Sequence, residues 1–378
     1  MELNQIWHCP RPELAKRYLA LLQAGPVVST TIFAPRRTGK TVFLRKDLTP
    51  AAEAAGFTVA YADLWQTRLN PGIAIVRGLE EALTPKTLAQ KTLQKLHAPV
   101  KKVKASGSAG ELKGAIEVEL GDAKKEATEL ALRIEELVVK LVSKKKKLLL
   151  LVDEAQELAR NRENELMAMA LRTAITKNSD KLRVVFTGSS RTQLANVFSN
   201  STAPLFSVGA TVQEFPLLGR ELVEFVAQKF QVASGRDLDV AAGWTAFQEF
   251  HQQPEPFLSV VVAMLMDPSL TLARAVATEK AEQDKEENHE GTWTSLDAMQ
   301  RQLLLLFVDD PHAKPFGKAA LAKLAKALGV PSLAPSDVQY SLNNLKTKTI
   351  ISKAPGGVHT FESAAFERWV RTLAPVNS

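Results

Sequence analysis

The chain is poor in the residues that several protein classes require. A single cysteine, Cys9, in 378 residues excludes an internal disulfide and fits a reducing compartment. Six histidines are scattered with no spacing that suits a metal. No apolar run approaches the roughly 18 residues of a membrane-spanning helix. The first residues, MELNQIWHCP, lack a basic stretch leading into an apolar core. No membrane partner and no signal peptide are therefore expected, and the expected location is cytoplasmic. Acids are outnumbered by bases, 41 to 48, which leaves a net charge of +7. That excess is compatible with a polyanionic partner but too mild to assign one. A hydrophobic content of 45% and a charged content of 24% are those of a globular protein, and the length suits two or three domains.

What the chain does have begins at Val27. VVSTTIFAPRRTGKTVFL reads as a β-branched strand, a tight loop and the start of a helix, with Gly-Lys-Thr at the helix entrance. Backbone N–H groups of such a loop, aided by the helix dipole, point at phosphates. The residues expected against a nucleotide are Pro35, Arg36, Arg37, Thr38, Gly39, Lys40, Thr41 and Val42. Gly39 allows close backbone approach. Lys40 would reach the β- and γ-phosphates of ATP, and the Thr41 hydroxyl would bind Mg²⁺. Ala34 stands where the pattern usually has its first glycine. The bland alternative is a polar loop before a helix.

The second informative stretch is Leu148–Glu154, LLLLVDE. A continuous apolar run fits a strand buried on both faces of a parallel sheet. Two acids at its C-terminal end fall where α/β sheets bind ligands. Asp153 would hold Mg²⁺, and Glu154 would orient and deprotonate an attacking water. The alternative is a strand ending in surface acids, with Asp153 as a helix cap. The strand Leu182–Phe186 ends in Thr187-Gly188-Ser189-Ser190-Arg191. A hydroxyl there would either sense phosphate or cap the next helix.

Around these motifs the chain divides into an α/β core at 1–218, a helical lid at 219–275, a polar linker or exposed helix at 276–294 and a unit at 295–378. Within the core, a helix is expected at 123–142, and the alternation in Ala115–Leu120 suggests a hairpin. The lysines 144–147 read as a solvated run guarding a buried strand or as a DNA contact. In the last unit, helices at 295–308, 317–328 and 336–347, a hairpin turning at Ala354–Gly357 and a closing helix make a winged helix. From Met299 onward ten Lys and Arg face five acids, and Lys346, Lys348 and Lys353 lie near the third helix and the wing. Duplex DNA is the partner this favours; winged helices also bind protein.

Taken together these motifs resemble the AAA+ superfamily of P-loop ATPases, most closely the archaeal-type ATPases near the origin-recognition and STAND branches. Trp7, Arg11, Glu13 and Leu14 look like that family's N-terminal box, APRRTGKT is similar to its GPRRxGKT, and LLLLVDEAQEL, with Gln156, to its second motif. The resemblance implies a parallel sheet of order 5-1-4-3-2 and a nucleotide touched by Arg11 and by Pro254 of the lid. It implies catalytic roles for Glu154 and Lys40, with Ser189 and Arg191 near the γ-phosphate. It also implies a homo-oligomer in which an arginine completes a neighbour's site. Gln252 and Gln253 stand where the lid usually has glycine, and Val208 where relatives often have arginine, which leaves Arg191 as the candidate. The function expected is an ATP-hydrolysing switch acting on DNA or a DNA-bound partner. The alternative is a STAND-like regulator whose winged helix docks on a protein encoded nearby.

Overall fold

The computed structural model describes residues 7–25, 27–84, 112–142, 147–199, 202–206, 208, 212–286, 289–353 and 357–373. The Lys-rich patch ahead of residue 112, lysines 144–146 and the turn residues 354–356 lie outside them.

Five strands, β1 (Ser29–Phe33), β2 (Phe57–Asp63), β3 (Lys147–Asp153), β4 (Leu182–Gly188) and β5 (Val212–Glu214), form one parallel sheet. Their order, β2-β3-β4-β1-β5, is the expected 5-1-4-3-2 read from the other edge. β3 is an interior strand between β2 and β4, and its residues alternate between two cores, as a strand covered on both faces must. Leu149 and Leu151 pack with α1 (Pro12–Gln23) and with the helix that leaves the glycine loop. Leu148, Leu150 and Val152 face the opposite core.

The helix after the loop is not regular. It runs as α2 (Lys40–Phe43), a π-helical turn (Leu44–Leu48) and α3 (Thr49–Ala54). Pro50 explains the break. It has no N–H to offer the carbonyl four residues back, and its ring crowds that carbonyl. The wider turn closes instead through Thr49, whose backbone N–H and hydroxyl both bond to the Leu44 carbonyl, the hydroxyl at 2.8 Å.

The other face of the sheet carries α4 (Pro71–Leu83), α5 (Leu112–Val142), α6 (Arg162–Lys177) and α7 (Arg191–Phe198). The start of α5 corrects the hairpin expected at Ala115–Leu120: the backbone there is helical. Six alternating residues satisfy either period, and the surrounding Ala, Glu, Lys and Leu are strong helix formers, so the long helix prevails.

The lid consists of α8 (Arg220–Ser234), α9 (Val240–Glu249) and α10 (Pro254–Met266) around Val223, Phe230, Phe247 and Phe257. The polar stretch after it is mostly helical, as α11 (Leu272–Glu286) and α12 (His289–Thr294), and Ala275 and Val276 join the lid core. The last unit has α13 (Ala298–Asp309), α14 (Lys318–Leu328) and α15 (Pro335–Thr347), then an antiparallel ribbon of β6 (Ile351–Lys353) and β7 (His359–Phe361), and α16 (Ala364–Leu373). β6 packs on α7 and α16 on α11, so this unit rests against the sheet end that carries the two acids. Among the described residues no helix is long and apolar enough to cross a membrane.

Candidate active site

The glycine loop owes its shape to a few backbone demands. Gly39 sits at φ 90° and Arg37 at φ 63°, while Ala34 has no positive φ. The substitution of alanine for the usual glycine at 34 therefore costs no backbone strain. Lys40 is buried, and its ammonium folds back on the loop, donating to the carbonyls of Ala34 at 2.7 Å and Pro35 at 2.8 Å. The Thr38 hydroxyl also donates to Pro35, at 2.8 Å. Burial lowers the Lys40 pKa, opposed by the nearby Glu154 and Asp153 charges. A phosphate placed at this loop would take over the ammonium from two neutral carbonyls.

The two acids at the end of β3 are held differently. Asp153 accepts from the hydroxyls of Thr41 at 2.5 Å, Tyr61 at 3.0 Å and Thr187. Burial, then the Asp153 and Asp63 charges, raise the Tyr61 pKa, so this phenol stays a donor. Glu154 has a left-handed backbone, φ 56° and ψ 47°. Its Oε2 accepts from Ser189 Oγ at 2.7 Å and from the Gln156 amide. Ser190 does something else, capping α7 by accepting from the Gln193 N–H at 3.4 Å. Of the alternatives left open for these hydroxyls, Ser190 takes the capping one, while Ser189 is bonded to Glu154 and Gln156.

A cavity of about 400 Å³ joins these groups to the lid. Arg36, Arg37, Thr38, Gly39, Lys40, Thr41 and Val42 line one end with Asp153 and Glu154. Trp7, His8, Arg11, Leu218, Leu222, Pro254 and Leu258 line the other. Pro254 begins α10 and is buried. Of the two residues that stand where the lid usually has glycine, Gln252 adopts a left-handed turn at φ 56° and Gln253 is extended; His251, just before them, is also left-handed at φ 53°. The Gln252 amide then ties the lid to the core by donating to the Leu218 carbonyl at 2.8 Å. Arg37 of the loop and Glu255 of the lid approach to 3.8 Å across the cleft. Arg11 donates through Nη2 to the Pro216 carbonyl at 2.7 Å and lies 4.7 Å from the Phe215 ring centroid. Desolvation lowers its pKa.

Three expected residues do not line this cavity: Ser189, Arg191 and Pro35, whose carbonyl accepts from Lys40 and Thr38. Ser189 opens onto a second one, described below, and reaches the nucleotide end only through Glu154. Arg191 does not line the cavity: it is paired with Glu214 at 2.5 Å and stacked 4.0 Å from the Phe33 ring centroid. Val208 packs against the core of the sheet.

Sequence reasoning missed Asp47, His8, Tyr61, Asp63 and Trp65. Asp47, on the π-turn, accepts from the Arg11 backbone N–H at 2.8 Å and meets His8 Nε2 at 3.0 Å, fixing the N-terminal segment over the cleft. Asp63 ends β2 in register with Asp153. The rule that flagged Asp153, an acid at the C-terminal end of a parallel strand, would have found it. Burial, and less strongly Asp153 and Glu154, raise its pKa.

Among the described residues no three His, Cys, Asp or Glu side chains could hold a metal by themselves. Thr41 and Asp153 nevertheless form a hydroxyl–carboxylate oxygen pair at the phosphate end, the donor type that Mg²⁺ takes while keeping water and substrate oxygens as its other ligands.

Residues 13–245 match the family model described as an ATPase domain predominantly from Archaea. Among solved structures the chain is similar to the Walker-type ATPase PabY2304 of Pyrococcus abyssi, with a TM-score of 0.59 and 15% identity, covering 96% of this chain and 95% of that one. It is also similar to the ORC2 protein of Aeropyrum pernix in its ADPNP–ADP complexes, with a TM-score of 0.54 and 14% identity, covering 96% and 91%. At such identities these likenesses speak for the fold alone. No curated protein matches the chain. Nothing in these comparisons favours the STAND-like alternative.

Proposed function

Because the chain belongs to the family of ATPase domains found predominantly in Archaea, we propose that it is an AAA+ switch whose ATP hydrolysis changes how its lid and C-terminal unit engage DNA or a DNA-bound partner. The observation that carries the nucleotide part is the convergence of Lys40, Thr41, Asp153 and Glu154 at one end of a cleft closed by Pro254 and Leu258.

The residues divide the work by chemistry. Loop N–H groups and Lys40 neutralise the β- and γ-phosphates of ATP. Thr41 and Asp153 would hold Mg²⁺, which supplies charge neutralisation between the same phosphates. Glu154 accepts the proton of the attacking water. Leu218, Leu222, Leu258 and Pro254 offer apolar walls for the base, beside Arg11. Arg37 and Glu255 link loop and lid, so a change at the phosphates reaches α10.

The DNA part rests on the last unit, read as a winged helix: three helices, a β-ribbon and a closing helix. Lys348 and Lys353 are exposed, and Lys346, half-buried near Lys353, is lowered by desolvation first and by that lysine second. Electrostatic repulsion between Lys346 and Lys353 would be relieved by a phosphate backbone. Retention of full-length protein on duplex DNA, measured against salt, tests this. Affinity is expected to fall by about 0.9 log units per phosphate contact for each tenfold rise in salt. Replacing Lys346, Lys348 and Lys353 by alanine is expected to flatten the slope and leave ATP affinity unchanged. No retention at low salt, with or without ATP, removes the DNA reading. Self-association on ATP binding belongs to the same proposal, with Arg191 exchanging Glu214 for a neighbour's phosphate; light scattering with a non-hydrolysable analogue measures it.

A further inference from the structure

Glu154 is not held by its neighbours symmetrically. Both hydrogen bonds, from Ser189 Oγ and from the Gln156 amide, fall on Oε2. Gln156 Nε2 also lies 3.3 Å from Ser189 Oγ, which closes the three side chains into a triangle. Gln156 and Ser189 are both nine-tenths buried or more. The Gln156 amide oxygen is buried with no partner, an arrangement that usually costs stability and is kept only where something else depends on it. The backbone accommodates it at a specific place: a Cβ at Gly188 would lie 2.5 Å from that oxygen.

We propose that Gln156, together with Ser189, is a positioning residue for hydrolysis: the pair tethers Oε2 of Glu154 and so presents Oε1 as the oxygen that accepts the proton of water. This rests on the reading of Glu154 as the base. A carboxylate on a left-handed residue at the end of a strand has a rotatable side chain and a cavity in front of it. Two donors on one oxygen fix both its rotamer and which lone pairs stay free, which is the orientation that proton abstraction requires. Gln156 itself does not line the nucleotide cavity, so its influence passes through Glu154.

The test uses the full-length protein with Gln156→Met, which preserves volume without the donor, and Ser189→Ala beside Ser189→Thr, which restores a hydroxyl. Expected for Gln156→Met and Ser189→Ala is a fall in kcat of about tenfold, the scale of one lost orienting hydrogen bond. ATP affinity by calorimetry, KM and the melting temperature should stay near wild type. Ser189→Thr should recover most of kcat. In a Glu154→Gln background, Gln156→Met should lower the residual rate no further, because the residue it positions is gone. Loss of affinity or melting temperature in step with kcat, or an equal further loss in the Glu154→Gln background, overturns the proposal in favour of a packing role. Glu154→Gln separates the premises. If it hydrolyses at the wild-type rate, Glu154 is not the base. If it is inactive while Gln156→Met and Ser189→Ala match wild type, only the tether fails.

Discussion

Two cavities meet at the glycine loop, and they treat carboxylates in opposite ways. In the nucleotide cleft Asp153 accepts from three hydroxyls and Glu154 from two donors. In the second cavity, about 460 Å³ between the loop, the lid and the C-terminal unit, Glu362 has a buried Oε1 with no partner. Burial pushes its pKa up to about 7, against weaker opposition from Ser352, Arg191 and Arg36. Arg36 and Arg37 line both cavities. The first cleft surrounds the two acids at the end of β3 with hydrogen-bond donors. The second keeps an acid close to neutrality at a contact between units, where its charge state can matter to docking.

The comparison breaks most severely at the base. Glu154→Gln is nearly isosteric but cannot take a proton, so kcat should fall by about 10²–10⁴-fold with ATP affinity retained; phosphate release and calorimetry measure the two. Lys40→Ala should weaken ATP binding by about 10²-fold, through loss of the charge facing the phosphates. Unchanged calorimetric affinity would remove the site assignment.

A smaller effect sharpens the contrast in how acids are held. Tyr61→Phe deletes one of the three hydroxyls on Asp153 and nothing else polar. About fivefold weaker Mg²⁺ dependence of nucleotide binding is expected, for a hydrogen bond of about 1 kcal/mol. Affinity in EDTA should not change, and direct Mn²⁺ titration of the protein with nucleotide gives an independent readout.

The last prediction concerns the second cavity. Glu362 has a raised pKa when the C-terminal unit is docked, about 7 against an ordinary 4.5, so the docked form holds its proton more tightly. Docking should therefore be strongest below pH 4.5, weaken as pH rises toward 7, and level off above it. Arg36, Arg37 and Arg368 line the cavity with Glu362, and Arg191 acts on it electrostatically. Hydrogen exchange in β6 and α7 should report looser docking at pH 8 than at pH 6, and Glu362→Gln should remove most of the difference.

How much of this was legible depended on how locally each feature is encoded. The loop, β3 and its two acids were readable because a glycine turn and a doubly buried strand leave contiguous patterns. Ser189 and Ser190 were not separable, since neighbours in sequence point to different partners once the strand ends. Tyr61 was hidden because tyrosine in FTVAYADL already makes a good strand, and only the register with β3 puts its hydroxyl on Asp153. Asp47 was hidden inside a helix whose irregularity turns on Pro50. The hairpin expected at 115–120 failed because six residues cannot distinguish period two from a long helix.

That irregularity has a consequence for how the cleft tolerates change. In a regular α-helix each residue advances roughly 100° around the axis. The wider turn at Leu44–Leu48 absorbs an extra residue, so that Phe43 ahead of it and Ala52 beyond it still pack into one core. Deleting Arg45 or Lys46 from the turn is expected to move Asp47 away from His8 and the Arg11 backbone, while Gly39, Lys40 and Thr41 keep their places. Such a variant is expected to keep its affinity for inorganic phosphate or ATP while the segment from Trp7 to Arg11 loosens, which calorimetry beside hydrogen exchange of that segment would measure.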